Sequence, residues 1–100
     1  MTAKGGYVYI QSNFSRSVLY VGSTSNLCNR SFQHKNGEGS EFTTTYKCTD
    51  LIYYEFHKTI DKAILRERRI KKWKREWKIN LIKEMNPTFR DLYDEVADMK

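Results

Sequence analysis

Two strand-like runs, Tyr7-Val8-Tyr9-Ile10-Gln11 and Val18-Leu19-Tyr20-Val21-Gly22, stand six residues apart and constrain the fold of this chain more than any other feature. Both are aromatic and β-branched, with no breaker inside them. The segment between them, Ser12-Asn13-Phe14-Ser15-Arg16-Ser17, has the Ser- and Asn-rich make-up of a turn. A link this short predicts an antiparallel hairpin. One hundred residues give one domain with room for a single modest core, spanning about residues 6–95 of 1–100.

The rest of the chain supplies helices and one more strand. Gly22 ends the hairpin, and Ser23-Thr24-Ser25-Asn26 offers several N-caps for a helix over about 26–35, with Leu27, Phe32 and Cys28 turned inward. Asn36 to Thr49 reads as a loop. Asp50 to Phe56 is a third strand, and its nearly unbroken apolar character predicts the central place in the sheet. Thr59 caps a long helix with Asp61 in its first turn. Ile60, Ala63, Ile64, Ile70 and Trp73 form its apolar stripe. A further helix covers about 76–85, with Trp77, Leu81, Ile82 and Met85 on its apolar side, and Pro87 stops it. Trp73 and Trp77 are expected on the seam between these helices. Thr88 to Asp91 resembles a cap for a last amphipathic turn through Phe89, Leu92, Tyr93 and Val96. The expected class is α+β: a small three-stranded antiparallel sheet flanked by helices, in the order ββαβα plus a C-terminal helix.

Several function classes fall away on composition. No apolar run approaches the roughly 20 residues of a membrane span, and the polar start, Met-Thr-Ala-Lys-Gly-Gly, has no apolar signal region. A cytoplasmic location is the expectation. Cys28 and Cys48 are too few for a disulfide framework, and with only His34 and His57 beside them they show no zinc spacing. Charge is uneven. Residues 62–83 hold ten basic and two acidic side chains, a net of +8, whereas the remainder nets −2. Such a concentration suits a polyanion, although charge runs also serve as solvated helix faces.

Glu67 is the most telling single residue. It sits on the inward stripe of its helix, where an apolar residue is expected, so its carboxylate must be hydrogen-bonded, paired or bound to a cation. A salt bridge to Arg66, Lys71 or another base satisfies that demand as well as a metal does. A lone carboxylate suits Mg²⁺, which keeps several waters, and does not suit a two-metal site. Arg30 and His34, four apart, share a helical face. Arginine offers a fork of donors to phosphate oxygens, and histidine can orient water or move a proton; both also fit an ordinary surface. Tyr9 and Tyr20, on adjacent strands, either present hydroxyls to one spot or simply pack, as Tyr7, Tyr53 and Tyr54 are expected to do.

Taken in order, these segments resemble the GIY-YIG nuclease superfamily, and in particular its small stand-alone bacterial members. Tyr7-Val8-Tyr9 stands at the first motif and Tyr20-Val21-Gly22 at the second. Asn26-Leu27 with Arg30 and His34 is similar to the helix that carries the family's arginine. Ala63 to Trp73 is similar to the helix that carries its glutamate, and Asn86-Pro87 with Asp91-Leu92-Tyr93 to the C-terminal signature. The resemblance implies an endonuclease that hydrolyses DNA phosphodiester bonds with one Mg²⁺ or Mn²⁺ ion, in a setting such as DNA repair or recombination. It implies that Glu67 holds the metal and Arg30 stabilises the transition state. Tyr9 or Tyr20 would help activate water, and His34 would assist by proton transfer or positioning. Lys35, Arg66, Arg69, Lys71, Lys72, Lys74 and Arg75 would meet the nucleic acid. The chain departs from the pattern twice. Tyr7 replaces the first glycine, though Gly5 and Gly6 precede it, and Asn86 lies before Pro87 rather than after it, leaving Arg90 as a substitute. The second reading is therefore a binding module of nuclease fold with weak or no turnover. A third is a protein-interaction domain with an acidic partner. RNA stays open as a substrate, and a protein partner or a dimer is a source of specificity.

Overall fold

The computed structural model describes residues 5–99. The hairpin forms as β1 (Gly6–Ser12) and β2 (Leu19–Thr24), followed by α1 (Leu27–Lys35), α2 (Glu41–Thr45), β3 (Asp50–His57), α3 (Ile60–Lys71), α4 (Arg75–Met85) and α5 (Tyr93–Val96). The three strands make one antiparallel sheet in the order β2-β1-β3. The α+β architecture expected from the sequence is what the chain adopts.

β1 is central, not β3. Both neighbours pair with it, and β3 is an edge strand. The apolar run in β3 has a different cause. A bulge interrupts its pairing between Ile10 and Gln11, so that Tyr53 opposes Ile10 while Leu51 opposes Gln11. An extra residue lets neighbours two apart face opposite sides. Leu51 joins the core on one face and Ile52 and Tyr53 the core on the other. An unbroken apolar stretch is therefore a strand serving two cores from the edge.

Strand alternation sorts the side chains. Val8, Ile10 and Val21 point to one face, where Ala63 and Ile70 of α3 and Ile82 of α4 cover them. Tyr9 points to the other, with Leu27, Leu51, Leu92 and Val96. Three helices start with side-chain caps, each contributing about 1 kcal/mol: Asn26 accepts from Asn29 N, Ser40 from Thr43 N and Thr59 from Lys62 N.

Some predicted faces are different in the fold. Phe32 of α1 is 52% exposed, and Trp77 and Met85 of α4 lie largely outside the core. Trp73 does pack against the α3 side, with Arg66 over its ring at 5.2 Å, and Trp77 meets it edge-on. The segment 36–49 is not all loop, because it contains α2.

Candidate functional site

The hairpin register puts Tyr9 opposite Gly22 and Gln11 opposite Tyr20. Tyr9, Gly22 and Tyr20 thus share the face that α1 covers. Gly22 has a steric reason to be glycine: a Cβ there would lie 2.5 Å from the Tyr9 hydroxyl oxygen. The ring of Tyr9 lies across that gap, and its hydroxyl reaches the two polar residues that α1 presents four apart. Arg30 Nε donates to Tyr9 Oη at 3.3 Å, and His34 Nε2 lies 3.0 Å from the same oxygen. On the far side of the imidazole, His34 Nδ1 lies 3.1 Å from Thr43 Oγ1, which itself donates to the Ser40 carbonyl at 3.0 Å.

The directions of these bonds follow from the partners. Arginine can only donate, so Tyr9 Oη accepts from Arg30 and gives its own proton to His34 Nε2. Thr43 Oγ1 donates to a carbonyl and so accepts from His34 Nδ1–H. His34 is then the neutral Nδ1–H tautomer in a one-way chain, Arg30 to Tyr9 to His34 to Thr43 to Ser40. Electrostatics agree. His34 is 1% exposed, and burial, with the adjacent Arg30 charge second, lowers its pKa to about 4. Burial likewise pushes Tyr9 up to about 12, against the opposing pull of Arg30. At neutral pH the pair is phenol and neutral imidazole.

α2 therefore belongs to this cluster. It carries Thr43, and Gly39 just before it packs so close to the His34 ring that no side chain fits there. The available signal was Ser40 with Glu41 after it, a cap and an acidic first turn; five residues are too short to display periodicity.

Glu67 comes from the opposite face. Ser23, paired with Val8, points toward α3 and donates through Oγ to Glu67 Oε1. Lys71, one turn further along α3, places Nζ 2.6 Å from Glu67 Oε2 and 5.8 Å from the centre of the Tyr20 ring. The inward-stripe carboxylate is thus held by a hydroxyl and an ion pair, at the edge of β2. Tyr20 bridges the two halves: its ring is 6.4 Å from Tyr9 and 6.0 Å from His34. Tyr9, Tyr20, Arg30, His34 and Glu67 gather around one strand, β2. Among the described residues no three His, Cys, Asp or Glu side chains cluster to hold a metal by themselves. The oxygens of Glu67 and Ser23 are hard donors, which fits one hydrated Mg²⁺ or Mn²⁺ and not a soft or fully caged ion.

The basic residues divide. Arg69, Lys72 and Lys74 are exposed at the end of α3 and in the turn after it, with Lys74 beside the Trp77 ring. Arg66 is held by Glu55 at 3.0 Å, and Arg75 donates to the Arg16 carbonyl. Lys35 is drawn away from any ligand, because Asp50 and Asp91 both bind its ammonium. Asn86 is buried and ties the following turn to β3, its Nδ2 donating to the Ile52 and Arg90 carbonyls. Arg90 pairs with Glu95 and bonds none of the five gathered residues.

Residues 5–80 match the model of the GIY-YIG catalytic domain. The UPF0213 protein SSP2268 of Staphylococcus saprophyticus is 35% identical over 78 residues, covering 78% of this chain and 94% of that protein. A UPF0213 protein of Staphylococcus aureus strain Mu3 is similar to the same extent. No solved structure matches the chain. No helix among the described residues is long and apolar enough to cross a membrane. With a family model spanning the whole hairpin, α1 and α3, and relatives matched over nearly their full length, the chain belongs to the GIY-YIG family of endonucleases.

Proposed function

We propose that this protein is a metal-dependent endonuclease that hydrolyses phosphodiester bonds in DNA. The observation that carries the reading is the one-way chain Arg30–Tyr9–His34, set across one strand from an oxygen-rich carboxylate, Glu67. Glu67, with Ser23 beside it, would hold a single Mg²⁺ or Mn²⁺ once Lys71 lets go of Oε2. That ion supplies Lewis acidity to a phosphate oxygen.

The chain's own groups do the rest. Arg30 uses Nε on Tyr9 and Nη1 on Gln33 at 2.9 Å, which leaves Nη2 for a phosphate oxygen whose charge grows in the transition state. Tyr9 takes a proton from the attacking water as its own proton passes to His34 Nε2, so water becomes hydroxide and His34 becomes imidazolium. A His34 pKa of about 4 is unfavourable for this in the free protein. Phosphate bound at Arg30 would offset the second cause of that depression, the arginine charge, and leave the larger one, burial, in place. Arg69, Lys72 and Lys74 provide the sequence-independent attraction to the backbone.

The test is nicking of supercoiled plasmid with EDTA, Mg²⁺ or Mn²⁺, for wild type, Glu67→Ala and Arg30→Ala. Metal-dependent nicking that both variants lose while keeping their melting temperature is the expected result. Undiminished nicking by both would overturn it. Tyr9→Phe against Tyr20→Phe identifies the tyrosine on the proton path, with Tyr9→Phe expected to be the slower. DNA shifted at low salt with no product under any metal would support the binding-module reading instead.

A further inference from the structure

α2 does more than steady His34. On its outer side Phe42 stacks on Tyr20, ring centres 5.7 Å apart at 30°, and Tyr46 follows at 4.6 Å. Tyr20 is already at the site, so the aromatic line begins there and runs outward. Phe42 is 43% exposed and Tyr46 50%. Past Tyr46 lies a shallow cavity of about 520 Å³, lined by Asn13, Phe14, Ser15, Tyr46, Lys47 and Thr49. Phe14, at 91%, is the most exposed of the large apolar residues among those described.

That exposure does not come from a loose loop. Asn13 Oδ1 accepts from Val18 N at 3.0 Å and closes the hairpin turn. Arg16 clamps the turn to Asp50 at 2.7 Å and to the Phe89 carbonyl at 3.0 Å. A turn fixed at this many points holds a phenylalanine ring in water on the same open cavity as the exposed Tyr46 ring, where burial would have been favourable. Cations flank the line, with Lys71 over Tyr20 and Lys47 next to Tyr46, against one acidic residue on the helix, Glu41.

We propose that Phe42, Tyr46 and Phe14 form a base-stacking surface that takes unpaired nucleotides next to the scissile phosphate, so that the strand leaves the site single-stranded along α2. The proposal rests on the DNA-hydrolase reading and specifies its substrate class. Aromatic rings hold bases whose faces are free, and in a continuous duplex those faces are already stacked. The polar lining supports stacking over base-edge readout. The Asn13 amide is committed to Ser15 and Ser17, and Thr49 Oγ1 to Asp50. The surface should therefore accept any base.

The test is fluorescence anisotropy in EDTA, where nothing is cut, with a labelled oligothymidine and a hairpin duplex of equal length. Wild type is compared with Phe14→Ala, Phe42→Ala and Tyr46→Ala, and with Tyr46→Phe, which keeps the ring. Each alanine variant is expected to lose about 5- to 100-fold in affinity for the single strand, while duplex affinity stays within twofold and Tyr46→Phe binds normally. Equal losses on both DNAs, or none on the single strand, would overturn the proposal. So would a concentration-dependent dimer that Phe14→Ala dissolves with DNA affinity unchanged, since the surface would then be a contact between copies of this chain. Failure to bind either DNA would overturn the DNA reading as well, whereas normal duplex binding and plasmid nicking with no stacking effect would remove this surface alone.

Discussion

The two faces of the sheet are held by different forces. Under α3 and α4, Val8, Ile10, Val21, Ala63, Ile70 and Ile82 pack as an apolar core with little that is polar. Under α1 and α2, the most buried groups include Tyr9 and His34, joined by hydrogen bonds that run to Thr43. Both faces bury an apolar cluster, the second through Leu27, Leu51, Leu92 and Val96. The second keeps a few donors and acceptors in one arrangement, in a low-dielectric setting where an unmade bond is costly. The sheet separates them, and at its edge strand β2 the Glu67 carboxylate, with Ser23 and Lys71 on it, reaches the site from the apolar side.

If that division is right, substitutions should sort by face. Arg30→Ala should reduce the cleavage rate about 10²- to 10³-fold and leave the thermal midpoint nearly in place; a collapse of the midpoint would mean that Arg30 is structural. Ile70→Ala should do the reverse. It leaves a cavity in the apolar core and should cost about 2–5 kcal/mol in urea unfolding, with the rate per folded molecule kept. Thr43→Val matches the shape but removes the acceptor for His34 Nδ1–H. One hydrogen bond of about 1.4 kcal/mol corresponds to a rate about tenfold lower, and a Thr43→Val rate equal to wild type would take α2 out of the proton path.

Acid sharpens the contrast further. The folded-state pKa of His34 is depressed to about 4 from 6.5. Between those values the unfolded chain binds more protons than the folded one, so this contribution is fully present above about 6.5 and is lost as pH falls toward 4. Urea midpoints from pH 7 to 4.5 should therefore fall, and His34→Gln should flatten that part of the slope. The smallest effect concerns Lys71, whose ion pair with Glu67 competes with a cation. Lys71→Met should tighten Mn²⁺ binding a few-fold, read by titration calorimetry without DNA, because half-exposed pairs contribute about 1 kcal/mol or less.

Much of this site is legible in the sequence because its members are placed by short-range rules. Tyr9 and Tyr20 are fixed by strand alternation, Arg30 and His34 by the i,i+4 spacing of one helix, and Glu67 by its mismatch with an apolar stripe. What escapes is fixed by tertiary contact. Ser23 looks like one more polar residue near a helix start until the register points it at Glu67. Thr43 sits in a stretch with the composition of a loop, yet it completes the histidine's bonds. Lys35 is next to His34 in sequence and resembles a phosphate ligand, but Asp91, far along the chain, claims it. The central strand escapes for a related reason: a bulge makes the edge strand β3 as apolar as a middle one.

Of the helices, α2 is among the shortest, and Thr43 is its one buried residue. Elements with so little buried surface open at the lowest free-energy cost, well below global unfolding. When α2 opens, His34 loses the acceptor for its Nδ1 proton, and Tyr20 loses the ring stacked on it, while both cores stay closed. Heat should then separate two events. Turnover fades first, reversibly, as a five-residue helix frays, and the protein melts only later. The working temperature of the proposed nuclease would then be set by a five-residue helix, not by its core.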